Sequence, residues 1–361
     1  MQNEVVVMEN NNQRIEVFDM LKGFGILCVI LGHLGNPYID RVVYIFHMPL
    51  FFLISGYFLS YKVGGNLFIL KKIRGLIYPY FTSCFLIIAS YLFFFYTFGY
   101  SGKRSLLSWI VVSFYGAGFK IDNPPIGYIG AIWFLLALFW AMIIVRILGK
   151  FKYSFPAIVT ISYLGWKTAS DFYLPFSLQS GMLASLFVYF GSVFKKVENK
   201  IPSFFEFSDN TKRNHNYMLF FYGIILFISV WDIIFYKGFY MANCIMGNGI
   251  FDIIAALSAC YLLFIWFKKI NNNLIRSILS FYGRNSLSVL CFHIVEQNTF
   301  PYLWLSESLS QAGVGGIVVL LVTIFIKFLW VTIWIVIINR TPLLKTLFHG
   351  EGIRLNLIRV Y

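Results

Sequence analysis

Charge is what this chain has least of. Only 12% of its 361 residues are Asp, Glu, Lys or Arg, about half the share of an ordinary soluble domain. So few ionic groups cannot cover a water-facing surface, which excludes a soluble globular fold and makes lipid the main solvent. Acidic residues are scarcer than basic ones, 15 against 29. The cysteines (Cys28, Cys84, Cys244, Cys260 and Cys291) form no CxxC pair and no metal-ligand spacing. All fall inside apolar runs and are expected to be small core residues. The polar start (Asn10, Asn11, Asn12, Gln13, Arg14) lacks a small-residue cleavage site after the first apolar run. No cleavable leader is expected, and the first apolar segment should persist as a helix. Internal repeats and low-complexity tracts are also missing.

What the chain has is apolar residues, 59% of the total, with 20% aromatics that include 41 Phe and 23 Tyr. Aromatics at this density fill space between helices and anchor them at the membrane interface. Ten segments approach the ~20 apolar residues a spanning helix needs: 17–35, 43–60, 77–99, 129–148, 154–168, 176–194, 217–236, 246–267, 283–301 and 315–339. The expected fold is an all-α, polytopic integral membrane bundle of about ten transmembrane helices. Residues 1–16 form a polar cytoplasmic segment, 17–340 the membrane domain and 341–361 a basic cytoplasmic tail.

Net charge is +14, which on a soluble protein would suggest nucleic acid. Here it follows topology instead, and no nucleic-acid partner is expected. With the N-terminus inside, 22 of the 29 Lys and Arg residues fall on the inner side, as cytoplasmic loops of membrane proteins prefer. Both termini are therefore expected in the cytoplasm. The outer segment 100–128, with Asn123, Pro124 and Pro125, is the longest extracytoplasmic loop and a candidate cap over a site.

Ionisable groups inside a span are costly and mark functional candidates. In the first span Lys22 and His33 are eleven residues apart, close to three turns and about 16 Å of rise on one helix face, with Asp19 near the same line. The blander alternative is a snorkelling Lys and a satisfied His. His47 is expected at the outer end of the second span. Ser55 and Gly56 are small enough to permit close helix approach. Lys71 and Lys72 suit generic positive-inside charge, whereas the Arg74 guanidinium has the fork that grips phosphate. In the ninth span Ser286 and His293 share a face, Glu296 lies one turn beyond, and Arg284 stands at the inner edge. Asp232 and Asp252 lie toward outer helix ends, where an interfacial carboxylate is the plainer account. The His and carboxyl groups thus fall in outer halves and Lys22, Arg74 and Arg284 at the inner edge, which suits an anionic donor held from the cytoplasm.

These stretches resemble, in order, the motifs of the membrane acyltransferase-3 family. Asp19…Lys22-Gly23…His33 is similar to its opening helix. Phe46 to Phe58 (FHMPLFFLISGYF) resembles its second-helix signature and Lys71 to Tyr80 (KKIRGLIYPY) the cytoplasmic motif that follows. Tyr128 to Leu135 resembles its G-x-x-W-F-L stretch, and Gly283-Arg284-Asn285-Ser286-Leu287 with His293 its late helix. The fucose-4-O-acetylase-like branch is the nearest in pattern. Lys22 departs from the Arg that many members carry, keeping the charge and losing the fork.

The resemblance implies an O-acyltransferase, chiefly an O-acetyltransferase, of the plasma (inner) membrane. It implies acyl-CoA, chiefly acetyl-CoA, as co-substrate, a sugar hydroxyl as acceptor, and no tightly bound cofactor or metal. It makes His33 the catalytic residue, with Asp19 and Glu296 as carboxylates of the catalytic set, and gives Lys22, Arg74 and Arg284 to the donor phosphates. His47, Ser55, Trp133, Asn285, Ser286, His293 and Asp252 are expected on the substrate side. The rival from another class is an export protein for a polysaccharide or small solute, because intramembrane charges also mark transport paths. Against it stand the missing inverted repeat and the missing pair of Gly/Pro-broken helices. The charge distribution predicts that a reporter fused after Tyr361 reads cytoplasmic and one inserted within 103–120 reads extracytoplasmic. Equal accessibility at both positions would refute the topology.

Overall fold

A computed structural model describes residues 2–98, 105–122, 124–198 and 212–349. Part of the 100–128 loop (100–104 and Asn123), the basic residues Lys103, Arg104 and Lys200, and the end of the tail with Arg354 and Arg359 lie outside the described residues. The chain is 79% helical. Its helices are α1 (Gln2–Leu31), α2 (Pro37–Tyr57), α3 (Gly65–Lys72), α4 (Tyr78–Phe98), α5 (Leu106–Tyr115), α6 (Trp133–Leu148), α7 (Ser154–Thr168) and α8 (Leu178–Glu198). They continue with α9 (Lys212–Ile234), α10 (Ile250–Lys268), α11 (Asn273–Arg284), α12 (Ser286–Thr299), α13 (Tyr302–Gln311), α14 (Gly316–Arg340) and α15 (Pro342–His349). A two-stranded antiparallel hairpin, β1 (Phe239–Tyr240) and β2 (Ile245–Met246), joins α9 to α10.

Nine of the ten apolar segments of the sequence fall mainly on one helix each; the ninth, 283–301, is broken between α11 and α12, which meet at a bend of 71°. By length and composition five helical stretches qualify as spans among the described residues: Pro37–Tyr57, Gly65–Phe93, Pro175–Glu198, Ile250–Lys268 and Gly316–Arg340. They become six if α11 and α12 count as one. The count of ten is therefore not reached on this criterion. The apolar helix Trp133–Leu148 has 16 residues, which at 1.5 Å per residue falls short of a ~30 Å hydrocarbon core. Helix α5 lies in the segment expected to be a loop. Ser105 caps it by accepting from the Ser108 amide, and Gly116 ends it at φ +66°.

The helices group into two compact units. The first comprises Met1–Lys62, Trp140–Tyr173 and Leu178–Arg284; the second comprises Val63–Phe139, Leu174–Ser177 and Asn285–Tyr361. In the first unit α1 lies along α11, α2 packs on α8, α7 on α8 and α9 on α10. Small residues make the two closest crossings. A Cβ on Gly23 would stand 1.9 Å from the Leu279 carbonyl oxygen, and one on Gly283 would stand 1.7 Å from that of Asp19. A Cβ on Gly56 would meet the Val188 carbonyl, and one on Gly191 that of Leu53. The reading of Gly56 as a packing residue is thus correct, and Gly23 serves the same end. Glu16 and Arg276 form an ion pair that ties α1 to α11 again. In the second unit α12 packs on α14 and α4, and α15 on α14 and α4. Phe292 stacks on Trp334 at 4.4 Å between ring centroids. The Tyr80 hydroxyl donates to the Ser113 carbonyl at 2.6 Å.

Replacing Gly283 by Ala drives a methyl into backbone that has no side chain to move aside. It should cost about 2–3 kcal/mol of stability. Gly223→Ala in α9, where a Cβ meets nothing within 4 Å, should be neutral or stabilising by up to about 1 kcal/mol. Thermal unfolding of the purified variants in one detergent checks both. Equal midpoints for Gly283→Ala and Gly223→Ala would contradict the crossing.

Candidate active site

His33 does not lie within the first helix, as the span 17–35 implied. Helix α1 ends at Leu31, and His33 sits in the turn before α2. The sequence Gly35-Asn36-Pro37 explains why. Gly35 takes φ +69°, Asn36 caps α2 by accepting from the amides of Tyr38 and Ile39, and Pro37 opens the helix. The His33 amide bonds back to Ile30 at 3.2 Å, a tighter turn than the α pitch, so the regular face shared with Lys22 stops two residues short. The turn is held from α2 by the Tyr44 hydroxyl, which donates to the Gly32 carbonyl at 3.1 Å.

The His33 ring is half-buried, and its Nδ1 lies 2.7 Å from the Val29 carbonyl oxygen. A carbonyl only accepts, so Nδ1 carries the proton and Nε2 the basic lone pair. A backbone carbonyl therefore sets the tautomer. His47 repeats the device: its Nδ1 donates to the Val43 carbonyl at 2.5 Å, and the Tyr44 ring meets its imidazole edge-on at 4.9 Å. His47 was expected at an outer helix end. Because α2 starts at Pro37, it lies near the middle of that helix and is buried. Tyr44 also packs against Tyr240 of the hairpin at 5.3 Å.

Asp19 and Lys22 pair with each other at 2.7 Å, one turn apart on α1. Lys22 and Arg284 are chain neighbours of Gly23 and Gly283 at the α1–α11 crossing. Arg284 is exposed there. Arg74 lies in the second unit, half-buried in a π-helical turn, Ile73–Ile77, between α3 and α4. Asp252 is buried in α10 and faces Asp232 of α9. Asn248 bridges them: its side-chain amide donates to Asp232 at 2.9 Å and its backbone N–H to Asp252 at 3.0 Å. Both aspartates are buried within the bundle. Ser55 is half-buried on α2 beside the Gly56 crossing.

The second unit holds a buried polar cluster. His293 donates from Nδ1 to Glu296 at 3.1 Å, and the Lys327 ammonium donates to the other Glu296 oxygen at 3.0 Å. The Lys327 ammonium also stands 3.9 Å from the centroid of the Tyr302 ring. Burial, and then the Glu296 carboxylate beside it, push the Tyr302 phenol up. All three charged or basic groups are under 4% exposed. Asn285, just ahead of α12, accepts from the Asn339 side chain at 3.1 Å and so fastens α12 to α14. Ser286 opens α12 and is half-buried; Trp133 opens α6 and is buried. Gly130, three residues before Trp133, takes φ +90°, and a Cβ there would touch Ile294 at 3.3 Å. Lys327 lies inside the last apolar segment, 315–339, and was not among the expected site residues. Its place midway along a 25-residue apolar helix was the signal that it needed a buried partner.

Apolar helices long enough to span, with buried His, Glu and Lys between them, define a multi-pass membrane protein with chemistry inside its bundle. The chain belongs to the membrane acyltransferase-3 family: that family's acyltransferase-domain model matches residues 15–340. It is a membrane acyltransferase, acting between an acyl donor and an acceptor. No curated protein and no solved structure matches it.

Removing one partner of a buried ion pair strands the other charge. Glu296→Gln should therefore cost about 3–5 kcal/mol. The double variant Glu296→Gln/Lys327→Met should regain most of that loss, because neither charge remains. Equilibrium unfolding of the single and double variants measures the coupling, and additive losses would show that the two groups do not pair.

Proposed function

We propose that the chain is an O-acyltransferase of the plasma membrane. It transfers an acyl group, in the first instance acetyl, from acyl-CoA to a sugar hydroxyl of a surface polysaccharide or glycoconjugate. The observation that carries this reading is the His33 imidazole, tethered through Nδ1 to its own helix so that Nε2 is the proton acceptor. A neutral imidazole with one defined basic nitrogen is the base that hydroxyl attack on a thioester needs near neutral pH.

In this reading Nε2 takes the proton from the acceptor hydroxyl as its oxygen attacks the thioester carbonyl. The C–S bond then breaks, coenzyme A leaves as thiolate, and the proton on His33 returns to it. Lys22 and Arg284, each next to a glycine of the α1–α11 crossing, hold the phosphates of the donor. Helix α1 rises about 14 Å from Lys22 to its end at Leu31, just before His33, a length suited to an extended pantetheine arm. Asp19 keeps the Lys22 ammonium in place, and Arg74 offers a further guanidinium for phosphate. His47, Ser55 and Asp252 in the first unit, and Trp133, Asn285, Ser286 and His293 in the second, remain the candidates for acceptor contacts. The Glu296 carboxylate is engaged by His293 and Lys327, which favours a positioning role for it over a direct one.

His33→Ala should lower turnover by roughly 10²–10⁴ while leaving the affinity for acetyl-CoA unchanged. The measurement is transfer of labelled acetyl from acetyl-CoA to candidate glycans by the purified protein, with donor binding followed separately. His47→Ala and His293→Ala are the comparisons. Near-full activity in His33→Ala, with one of the others inactive, would move the base elsewhere.

A further inference from the structure

The first unit contains a cavity of about 340 Å³ between α1, α2, α8 and α10, walled by Phe18, Ile54, Tyr57, Phe194, Cys260 and Phe264 among others. Water finds no partners against such a wall, and an apolar group lying in it gains dispersion contacts with the side chains around it. The size falls within the range of small-ligand pockets, and in a bilayer the apolar matter at hand is a lipid chain.

The mouth specifies what that chain is attached to. Lys195 of α8 places its ammonium 5.7 Å from the centroid of the Tyr57 ring, and Lys268 of α10 places its own 5.0 Å from that of Phe264. Both rings belong to the cavity wall, both lysines are exposed, and they come from different helices. Glu198 is at the same end and accepts from the Tyr57 hydroxyl at 2.6 Å. Two ammonium groups against one carboxylate leave the mouth positive. Basic pockets between spanning helices of this kind suit anionic head groups.

We propose that this cavity binds one acyl chain of an anionic phospholipid, with the lipid phosphate held by Lys195 and Lys268. The bound lipid completes the packing between α1, α2, α8 and α10. The site is separate from the acyl-transfer reading and stands or falls without it.

Native mass spectrometry of the purified chain, titrated with phosphatidylglycerol or phosphatidylcholine of matched chains, tests the proposal. One phosphatidylglycerol should bind roughly thirtyfold more tightly than phosphatidylcholine, the equivalent of about 1 kcal/mol per lysine. Lys195→Gln/Lys268→Gln changes only exposed side chains and should erase that preference while leaving the weaker, chain-driven binding. Leu257→Trp, which fills the cavity from its wall, should abolish the bound lipid of either kind, with helicity and thermal midpoint checked by circular dichroism. Equal affinity for the two lipids in the unaltered protein would overturn the proposal. So would full phosphatidylglycerol binding in Leu257→Trp, or one-for-one displacement of the lipid by long-chain acyl-CoA, which would make the cavity a donor site.

Discussion

Where α1 crosses α11, two backbones touch with no side chain between them. Gly23 and Gly283 allow it, and each leaves no room even for a methyl against the facing carbonyl. Between helices in lipid the hydrophobic effect contributes little, so close packing of small residues has to supply the attraction. Lys22 and Arg284 are chain neighbours of the two glycines, 262 positions apart in the chain.

The second constraint is that polar groups in a bilayer need partners, and the chain meets it in two ways. His33 and His47 spend Nδ1 on the carbonyl four residues back on their own helix. Such a bond needs no second helix to align it and defines which nitrogen is basic. The cluster of His293, Glu296 and Lys327 works differently: three helix-borne groups satisfy one another with under 4% exposure. Its members stabilise only as a set, since any one left alone would be a buried, unpaired polar group. Asp232, Asp252 and Asn248 form a third set, in which Asn248 donates to both carboxyls.

Several elements were legible before any coordinates. Nine of the ten apolar segments proved to lie mainly on single helices, because a run of about twenty apolar residues in lipid has to satisfy its own backbone, whereas 283–301 is broken at Asn285. The i,i+3 pairs Asp19–Lys22 and His293–Glu296 followed from helical spacing alone. Gly56 read as a packing residue for the same local reason. Errors arose where local rules compete. The start of α2 was placed at residue 43 because Asn36 and Pro37 are polar and turn-forming, yet together they cap and open a helix. That shift moved His47 from a helix end to the middle. The stretch around Ser105 was taken as loop although Ser105 and Gly116 are a fitting pair of caps for α5.

By itself, then, the sequence determined the solvent, the helical class, the family motifs in their order and the pairs within one helix turn. Each depends on composition or on residues a few positions apart, where backbone geometry leaves few choices. Tertiary structure decided the rest. Glu296 and Lys327 are 31 residues apart, Asp232 and Asp252 belong to different helices, and Gly23 meets Gly283 across most of the chain. Which helix faces which, and at what rotation, depends on the packing of whole surfaces, and a rotation of one residue's 100° would break every one of these contacts.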